Sequence, residues 1–203
     1  MKYHRYNEAV SFHRRLSESE WLALRESGIP AVVAFERLLG WDGEHITIPV
    51  FSYDRKKVLF FEHAAWGDDD LLELIPVRRP RVELYGAHLL RQAPNQVILT
   101  EGVEESLVLA GQSFLALSAT GSGRAFKEEW VPLLRGIREV FICFRHSDES
   151  QRRAEQIAFL IPQATIVNLP EEVGEGGGVA DFFVRLGRSR RDFLRLLSLA
   201  GYA

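Results

Sequence analysis

In the second half of the chain, runs of five or six apolar residues alternate with stretches whose apolar positions recur at helical spacing. "QVILT" (96–100) predicts a strand, "VEESLVLAG" (103–111) a helix ended by Gly111, and "FLALSA" (114–119) a second strand. "AFKEEWVPLLRG" (125–136) predicts a helix with Phe126, Trp130, Leu133 and Leu134 on one side, and "EVFICF" (139–144) a third strand. "DESQRRAEQIAFLI" (148–161) predicts a helix that buries Ala154, Ile157, Ala158 and Ile161, before a fourth strand, "ATIVNL", and a glycine-rich loop, "GEGGG". Two helices close the chain, the last opening with Ser189 and Asp192 at capping-box spacing. Apolar strands separated by helices predict a parallel sheet covered on both faces and joined by right-handed crossovers.

The first ninety residues follow another pattern. "SESEWLALRESG" offers a Ser17-x-x-Glu20 capping box and a terminating Gly28, and a second helix from Pro30 carries Leu38 and Leu39 on its apolar face as far as Gly40. The period then becomes two: Ile46, Ile48 and Val50 alternate, and "VLFFEH" follows across the turn-like "SYDRKK", so a hairpin is expected. "WGDDDLLELIPVRRPRVELYG" (66–86), with its acidic run, two prolines and basic "RRPR", predicts a loose surface connection.

Composition narrows the function. The 203 residues, 46% of them hydrophobic, suffice for one sizeable core or two small ones. No run approaches the ~20 apolar residues that span a bilayer, and the first residues lack the apolar centre of a secretory signal, so a cytoplasmic protein with no membrane partner is expected. The single cysteine, Cys143, lies inside an apolar run; it forms no internal disulfide and excludes cysteine-rich zinc modules. A net charge of −3 conceals 25 basic residues, mostly arginine, so a nucleic-acid surface would be a local patch.

In an open parallel sheet, ligands bind beyond the carboxyl ends of the strands. Those ends carry Glu101-Gly102, Thr120-Gly121-Ser122-Gly123, and Arg145-His146-Ser147-Asp148-Glu149, and the fourth leads through the glycine loop to Asp181. Convergent carboxylates from Glu101, Asp148, Glu149 and Asp181 could hold Mg²⁺, a hard cation that prefers oxygen ligands. Each also has a plainer reading. Asp148 and Glu149 stand where carboxylates cap a helix, "TGSGR" lacks the lysine of a phosphate loop, and His146 could simply hydrogen-bond. Arg185, Arg188, Arg190, Arg191 and Arg195 form a basic stripe, either a phosphate-tracking surface or a solvated helix face.

"VILTEGVEES", "FLALSATGSG" and "VFICFRHSDESQRRAEQIAFLIPQATIVNLP" together resemble the Toprim domain, the catalytic fold of bacterial-type primases, topoisomerases and some nucleases. "GEHITIPVF" and "VELYGAHLL" resemble the stretch that precedes Toprim in bacterial and phage primases. The resemblance implies an α/β fold with a Rossmann-like, four-stranded, mostly parallel sheet flanked by helices (93–203), preceded by a small α+β subdomain (1–92). It makes Glu101 the catalytic glutamate and a ligand of Mg²⁺ or Mn²⁺ together with Asp148 and Asp181, and it implies DNA or RNA and a replication protein such as a helicase as partners. Glu105 falls where primases often carry an aspartate of the same motif. The chain departs from the family at the third strand: aligned on "QRRAE", Arg145 and Ser147 stand at the two metal-binding aspartates and Ser150 at a glycine. "GGVAD" leaves only Asp181 of a later acidic motif, and "FFEHAAWGDDD" is acidic where primases are basic and aromatic. A unit charge ~5 Å from another feels about 3 kcal/mol at an effective dielectric constant of ~20, so Arg145 opposes a divalent ion by roughly 6 kcal/mol where aspartate would attract it.

Three readings follow. One is a primase-related Toprim protein that binds nucleic acid or a replication partner through Arg145, Arg188, Arg190 and Arg191 with metal chemistry reduced or absent. Another is an active Mg²⁺-dependent nucleotidyltransferase or nuclease built on Glu101. The third is an unrelated α/β regulatory domain.

Overall fold

The computed structural model describes residues 4–121 and 126–201. Three helices open it: α1 (His4–His13), α2 (Glu18–Glu26) and α3 (Ala31–Glu36). The Ser17 amide donates to Glu20 Oε2 at 2.7 Å, as the capping-box spacing predicts, and Gly28 turns the chain at φ +80° after α2. The second helix is shorter than its apolar face suggests. It ends at Glu36, Leu38 adopts φ 53°, and Gly40 opens a strand instead of ending a helix. A Cβ on Gly40 would fall 2.5 Å from the Phe12 backbone, so close packing against α1 explains this glycine.

Strands β1 (Gly40–Trp41), β2 (Ile46–Phe51), β3 (Val58–Trp66) and β4 (Leu72–Leu74) form an antiparallel sheet in that order. The predicted hairpin is β2–β3. The loose connection expected over 66–86 is partly ordered: Leu71 and Leu72 bury themselves, and Leu72–Leu74 pairs with Ala64–Trp66, because an apolar pair inside the acidic run outweighs its polar neighbours. At the end of that connection β5 (Leu84–Tyr85) joins a second sheet, which runs β5, β7 (Ala116–Ala119), β6 (Gln96–Thr100), β8 (Glu139–Cys143), β9 (Ala164–Ile166). The four strands β6 to β9 are parallel, and β5 adds an antiparallel edge.

Around this sheet pack α4 (Val103–Gly111), a four-residue α5 (Val131–Leu134), α6 (Asp148–Leu160) and α7 (Arg190–Ala200). Two helix expectations are corrected. Of the helix expected over 125–136, the described residues 126–136 hold a 3-10 turn, Glu128–Trp130, and the short α5 with Pro132 in its first turn, and Leu133 is exposed. The first of the two closing helices is a π-helical turn, Asp181–Arg185. One buried cluster joins Leu24, Ile46 and Ile48 to Leu107, Leu109 and Phe193, so residues on both sides of position 92 share a core. A second cluster, with Val97, Leu99, Ile142, Leu134 and Ala154, fills the opposite face of the parallel sheet. The parallel strands all end at one edge, where the candidate chemistry lies.

Candidate functional site

Glu101 leaves the end of β6, and Gly102 caps α4, whose first turn carries Glu104 and Glu105. A helix start favours carboxylates through its exposed amides and dipole. Here they are buried as well, because α4 is covered from Val103 to Leu109: Glu101 and Glu104 are 7% exposed and Glu105 1%. The Gly102 amide donates to Glu105 Oε2 at 3.3 Å. A Cβ on Gly102 would lie 2.1 Å from Glu104 Oε1, so this glycine admits the folded-back glutamate.

Two arginines meet these acids. Arg145, at the end of β8, places Nη2 2.8 Å from Glu104 Oε1 and Nε 3.5 Å from Glu105 Oε1. Arg153, from α6, places Nη2 2.7 Å from Glu101 Oε1 and 3.7 Å from Glu149 Oε1. Asp181 accepts the Gly178 amide at 2.7 Å and Arg185 Nη1 at 2.5 Å. The glycine loop is laced to the strand end, with His146 N–H donating to Gly177 O at 2.8 Å and Gly176 N–H to His146 O at 2.7 Å. That lacing presses Gly178 onto the cluster: a Cβ there would sit 1.8 Å from Glu105 Oε1. Ser147 caps α6 by accepting the Ser150 amide at 3.2 Å, and Asp148 is exposed in the first turn of that helix. Behind the site, buried Glu62 of β3 accepts the Gly121 amide at 2.9 Å.

Burial raises the carboxyl pKa of Glu62, Glu104 and Glu105. Glu105 reaches about 8, with Arg145 opposing the rise and Glu104 and Glu101 adding to it. Burial also works against the charge on Arg145, but Glu105, Glu104 and Glu101 more than offset it and hold the guanidinium protonated. Burial thus favours the neutral form of both Glu104 and Glu105, while the Arg145 guanidinium beside them favours the charged form.

Whether these groups suit a divalent ion can be read from their partners. Glu101 Oε2 and Glu104 Oε2 are buried without hydrogen-bond partners among the described residues, and both glutamates line a cavity of about 280 Å³ with Glu73, Gly102 and Arg145. Their other oxygens are taken by arginines. Among the described residues no group of three or more His, Cys, Asp or Glu could hold a metal ion. Of the expected ligands, Glu101 faces Arg153, Asp181 faces Gly178 and Arg185, and Asp148 stands in solvent. As arranged, the site does not fit Mg²⁺ or Mn²⁺.

Sequence reasoning missed Glu104, Arg153 and Glu62. Their signals were two acids inside an otherwise apolar helix, an arginine four residues after Glu149, and a lone acid in a strand of aromatic residues. Of the basic stripe, Arg188 lies 3.7 Å from Glu172, Arg190 Nε donates to Gln112 O at 3.0 Å, and Arg191 is exposed. Of the "TGSGR" loop, Thr120 and Gly121 are described and 122–124 lie outside the described residues. Arginines and aromatic rings do meet ahead of the parallel sheet: Arg79 and Arg81 of "RRPR" line a cavity of about 460 Å³ with Phe60 and Phe61, beside the carboxylates of Asp42 and Glu62, and Arg81 Cζ lies 5.2 Å from the centre of the Phe60 ring.

No protein-family model and no curated protein matches the sequence. Among the described residues no helix is long and apolar enough to cross a membrane. Solved structures do match. A DnaG catalytic core superimposes with a TM-score of 0.73 at 18% identity, over 96% of this chain and 78% of that one. The zinc-binding and RNA polymerase domains of Aquifex aeolicus primase give 0.70 at 17%, over 96% of this chain and 59% of theirs, so the chain spans about three fifths of that relative. The primase fragment of the bacteriophage T7 primase-helicase gives 0.64 at 14%, over 90% and 78%. At such identities the likeness is one of fold: the chain resembles the Toprim-containing catalytic core of bacterial and phage DnaG-type primases.

Proposed function

We propose that this protein is a nucleic-acid-binding module with a primase-like fold, acting in replication-related nucleic-acid metabolism, in which arginines of the chain take the place of the divalent ion. The observation that carries this reading is Arg145 at 2.8 Å from Glu104 and Arg153 at 2.7 Å from Glu101. A metal entering between these carboxylates would have to displace two guanidinium groups already paired with them, against a repulsion of several kcal/mol. Nucleic acid would run along the Phe60, Phe61, Arg79 and Arg81 surface, where aromatic faces stack bases and arginines meet phosphates. That surface adjoins the acidic edge through Glu62. Arg188, Arg190 and Arg191 offer further phosphate contacts, and a replication protein such as a helicase would be the protein partner. One solved neighbour is a DnaG primase catalytic domain bound to single-stranded DNA, which makes that ligand the first to try.

A second reading has its own observation. The Glu101 and Glu104 oxygens that have no partner among the described residues are acceptors that a cation would satisfy, which favours a Mg²⁺-dependent nucleotidyltransferase or nuclease that rearranges its arginines on loading. Calorimetric titration with Mg²⁺ and Mn²⁺ separates the two. The binding-module reading expects no saturable heat at millimolar metal, and binding that vanishes in Glu101→Gln would overturn it. In fluorescence anisotropy, single-stranded DNA should bind with an affinity that falls with salt and drops about tenfold in the double variant Arg79→Ala, Arg81→Ala. A wild-type protein that fails to bind DNA at low salt would remove the nucleic-acid part of the reading.

A further inference from the structure

At the opposite edge of the parallel sheet, beside the amino ends of β6 and β7, lies a cavity of about 470 Å³ lined by α3, the β2–β3 turn, the 3-10 turn Ala87–Gln92 and the α4–β7 loop. That volume falls in the range of small-molecule sites. The cavity has two halves of different chemistry. Val33, Leu89, Ala110, Phe114 and Leu115 supply apolar wall. Arg37, Arg55, Gln92 and Ser113 supply polar groups, with Glu36 the one carboxylate at the rim.

The polar half has donors to spare. Arg37 is only half exposed, and its guanidinium makes no hydrogen bond or ion pair among the described residues, whereas the half-buried Arg145 and Arg153 each meet a carboxylate. Arg55 is anchored, donating to the Glu36 carbonyl at 2.6 Å and lying 5.4 Å from the centre of the Phe51 ring, which leaves its other nitrogens free. The backbone around the cavity is held in the left-handed region at Arg55 (φ 58°) and Ser113 (φ 62°), and also beside it at Leu38 (φ 53°) and Ala93 (φ 47°). Non-glycine residues adopt that region at a cost and gather at functional sites. The charge of Arg37 and Arg55 also reaches inward, to buried His88 and Tyr85, whose ring nitrogens and hydroxyl have no hydrogen-bond partner among the described residues. The wall behind the two arginines is therefore polar but uncharged.

We infer that this amino-edge cavity binds a phosphate monoester carrying an apolar or aromatic group, with Arg37 and Arg55 on the phosphate and the Phe114 side of the cavity against the organic part. A guanidinium forks onto phosphate in two parallel hydrogen bonds, and a planar base suits the apolar wall of Val33, Leu89 and Leu115, backed by the Phe114 ring that Phe193 and Arg190 hold in place. The same chemistry could come from a free mononucleotide or from the 5′-phosphate end of a nucleic-acid strand. The site stands apart from the acidic edge and uses none of its residues.

The test is calorimetry on the full chain at physiological salt with AMP, inorganic phosphate, and a short oligonucleotide with and without a 5′-phosphate. Saturable binding of AMP, at least tenfold tighter than inorganic phosphate and weakened at least tenfold by Arg37→Gln, is expected. Arg152→Gln, which removes an exposed arginine on α6, should leave it unchanged. NMR should show AMP shifting the Phe114 and His88 ring signals. If the 5′-phosphorylated strand binds tighter than AMP and its unphosphorylated twin does not bind here, the source is a strand end; if AMP binds at least as well, it is a free nucleotide. Because the Arg37 guanidinium makes no hydrogen bond or ion pair among the described residues, its variant should melt close to the wild type. Absence of AMP binding at millimolar concentration, equal affinity for inorganic phosphate, or equal loss in Arg37→Gln and Arg152→Gln would overturn the inference.

Discussion

The two edges of the parallel sheet handle charge in opposite ways. At the carboxyl edge, Glu101, Glu104 and Glu105 are buried and answered by Arg145 and Arg153 of the same chain. At the amino edge, Arg37 and Arg55 stand over a buried wall that contains no carboxylate, and His88 behind them is kept neutral. One edge pairs buried carboxylates with arginines of the chain, and the other sets two arginines around a cavity with the Glu36 carboxylate at its rim. Removing a charge should therefore destabilise the fold at the first edge and do little to it at the second, where the consequence would appear in ligand binding.

The largest break in this contrast is Arg145→Ala. It leaves Glu104 buried without the guanidinium that pairs with it, a defect that costs 3–5 kcal/mol for fully buried pairs and, with the Arg145 side chain 40% exposed, about 2–3 kcal/mol here. Arg37→Ala should fall within about 0.5 kcal/mol of wild type. Urea denaturation of both variants measures the gap, and equal losses would mean that the two edges do not differ as described. Gly178→Ala comes next. Its methyl group must displace a carboxylate that Arg145 and Gly102 already hold, so about 1–3 kcal/mol of overpacking strain is expected, with the midpoint moving and the slope unchanged.

A subtler break is the pH dependence of Glu105. Its carboxyl is raised to about 8 in the fold, whereas an unfolded glutamate titrates near 4.5. Between those values the folded chain holds a proton that the unfolded chain has released, so the stability Glu105 contributes is complete below about pH 4.5 and is lost as pH rises toward 8. Glu105→Gln keeps an oxygen acceptor for the Gly102 amide and cannot ionise. Its melting temperature should depend less on pH across that window than that of the wild type, and parallel profiles would place the buried proton elsewhere.

How much of this was legible in the sequence differs between the edges for a physical reason. The parallel strands were plain because each is an apolar run closed by a glycine or a polar cluster, and the caps at Ser17 and Ser189 are local patterns that need no tertiary context. Arg145 stood out because the resemblance to Toprim sets it where an acid is expected at a strand end. Arg153 did not, because an arginine on a polar helix looks solvated until Glu101 is seen beneath it. The amino-edge cavity was illegible for the same reason: Arg37, Arg55 and Ser113 are far apart in sequence, and no glycine announces the left-handed backbone at the last two. The strand Leu72–Leu74 was hidden by its acidic neighbours.

The smallest effect belongs to His88, and it sharpens the comparison because its slope has the opposite sign. Burial first, then Arg37 and Arg55, lower the imidazole to about 4 from an ordinary 6.5. Below pH 6.5 the unfolded chain takes up a proton that the folded chain refuses, so this stability is present above 6.5 and is lost as pH falls toward 4, while Glu105 loses its contribution in the other direction. His88→Leu removes two ring nitrogens that have no partner among the described residues and keeps an apolar side chain against Phe51. The variant should gain about 1 kcal/mol at pH 7 and more at pH 5, read by urea midpoints at the two pH values. If it instead loses stability at pH 7, His88 makes a hydrogen bond in solution and the wall behind Arg37 and Arg55 already has the partner it is described as lacking. An anion bound at the amino edge would offset part of the arginine field, so AMP should raise the His88 titration midpoint in the wild type and leave it unmoved in Arg37→Gln.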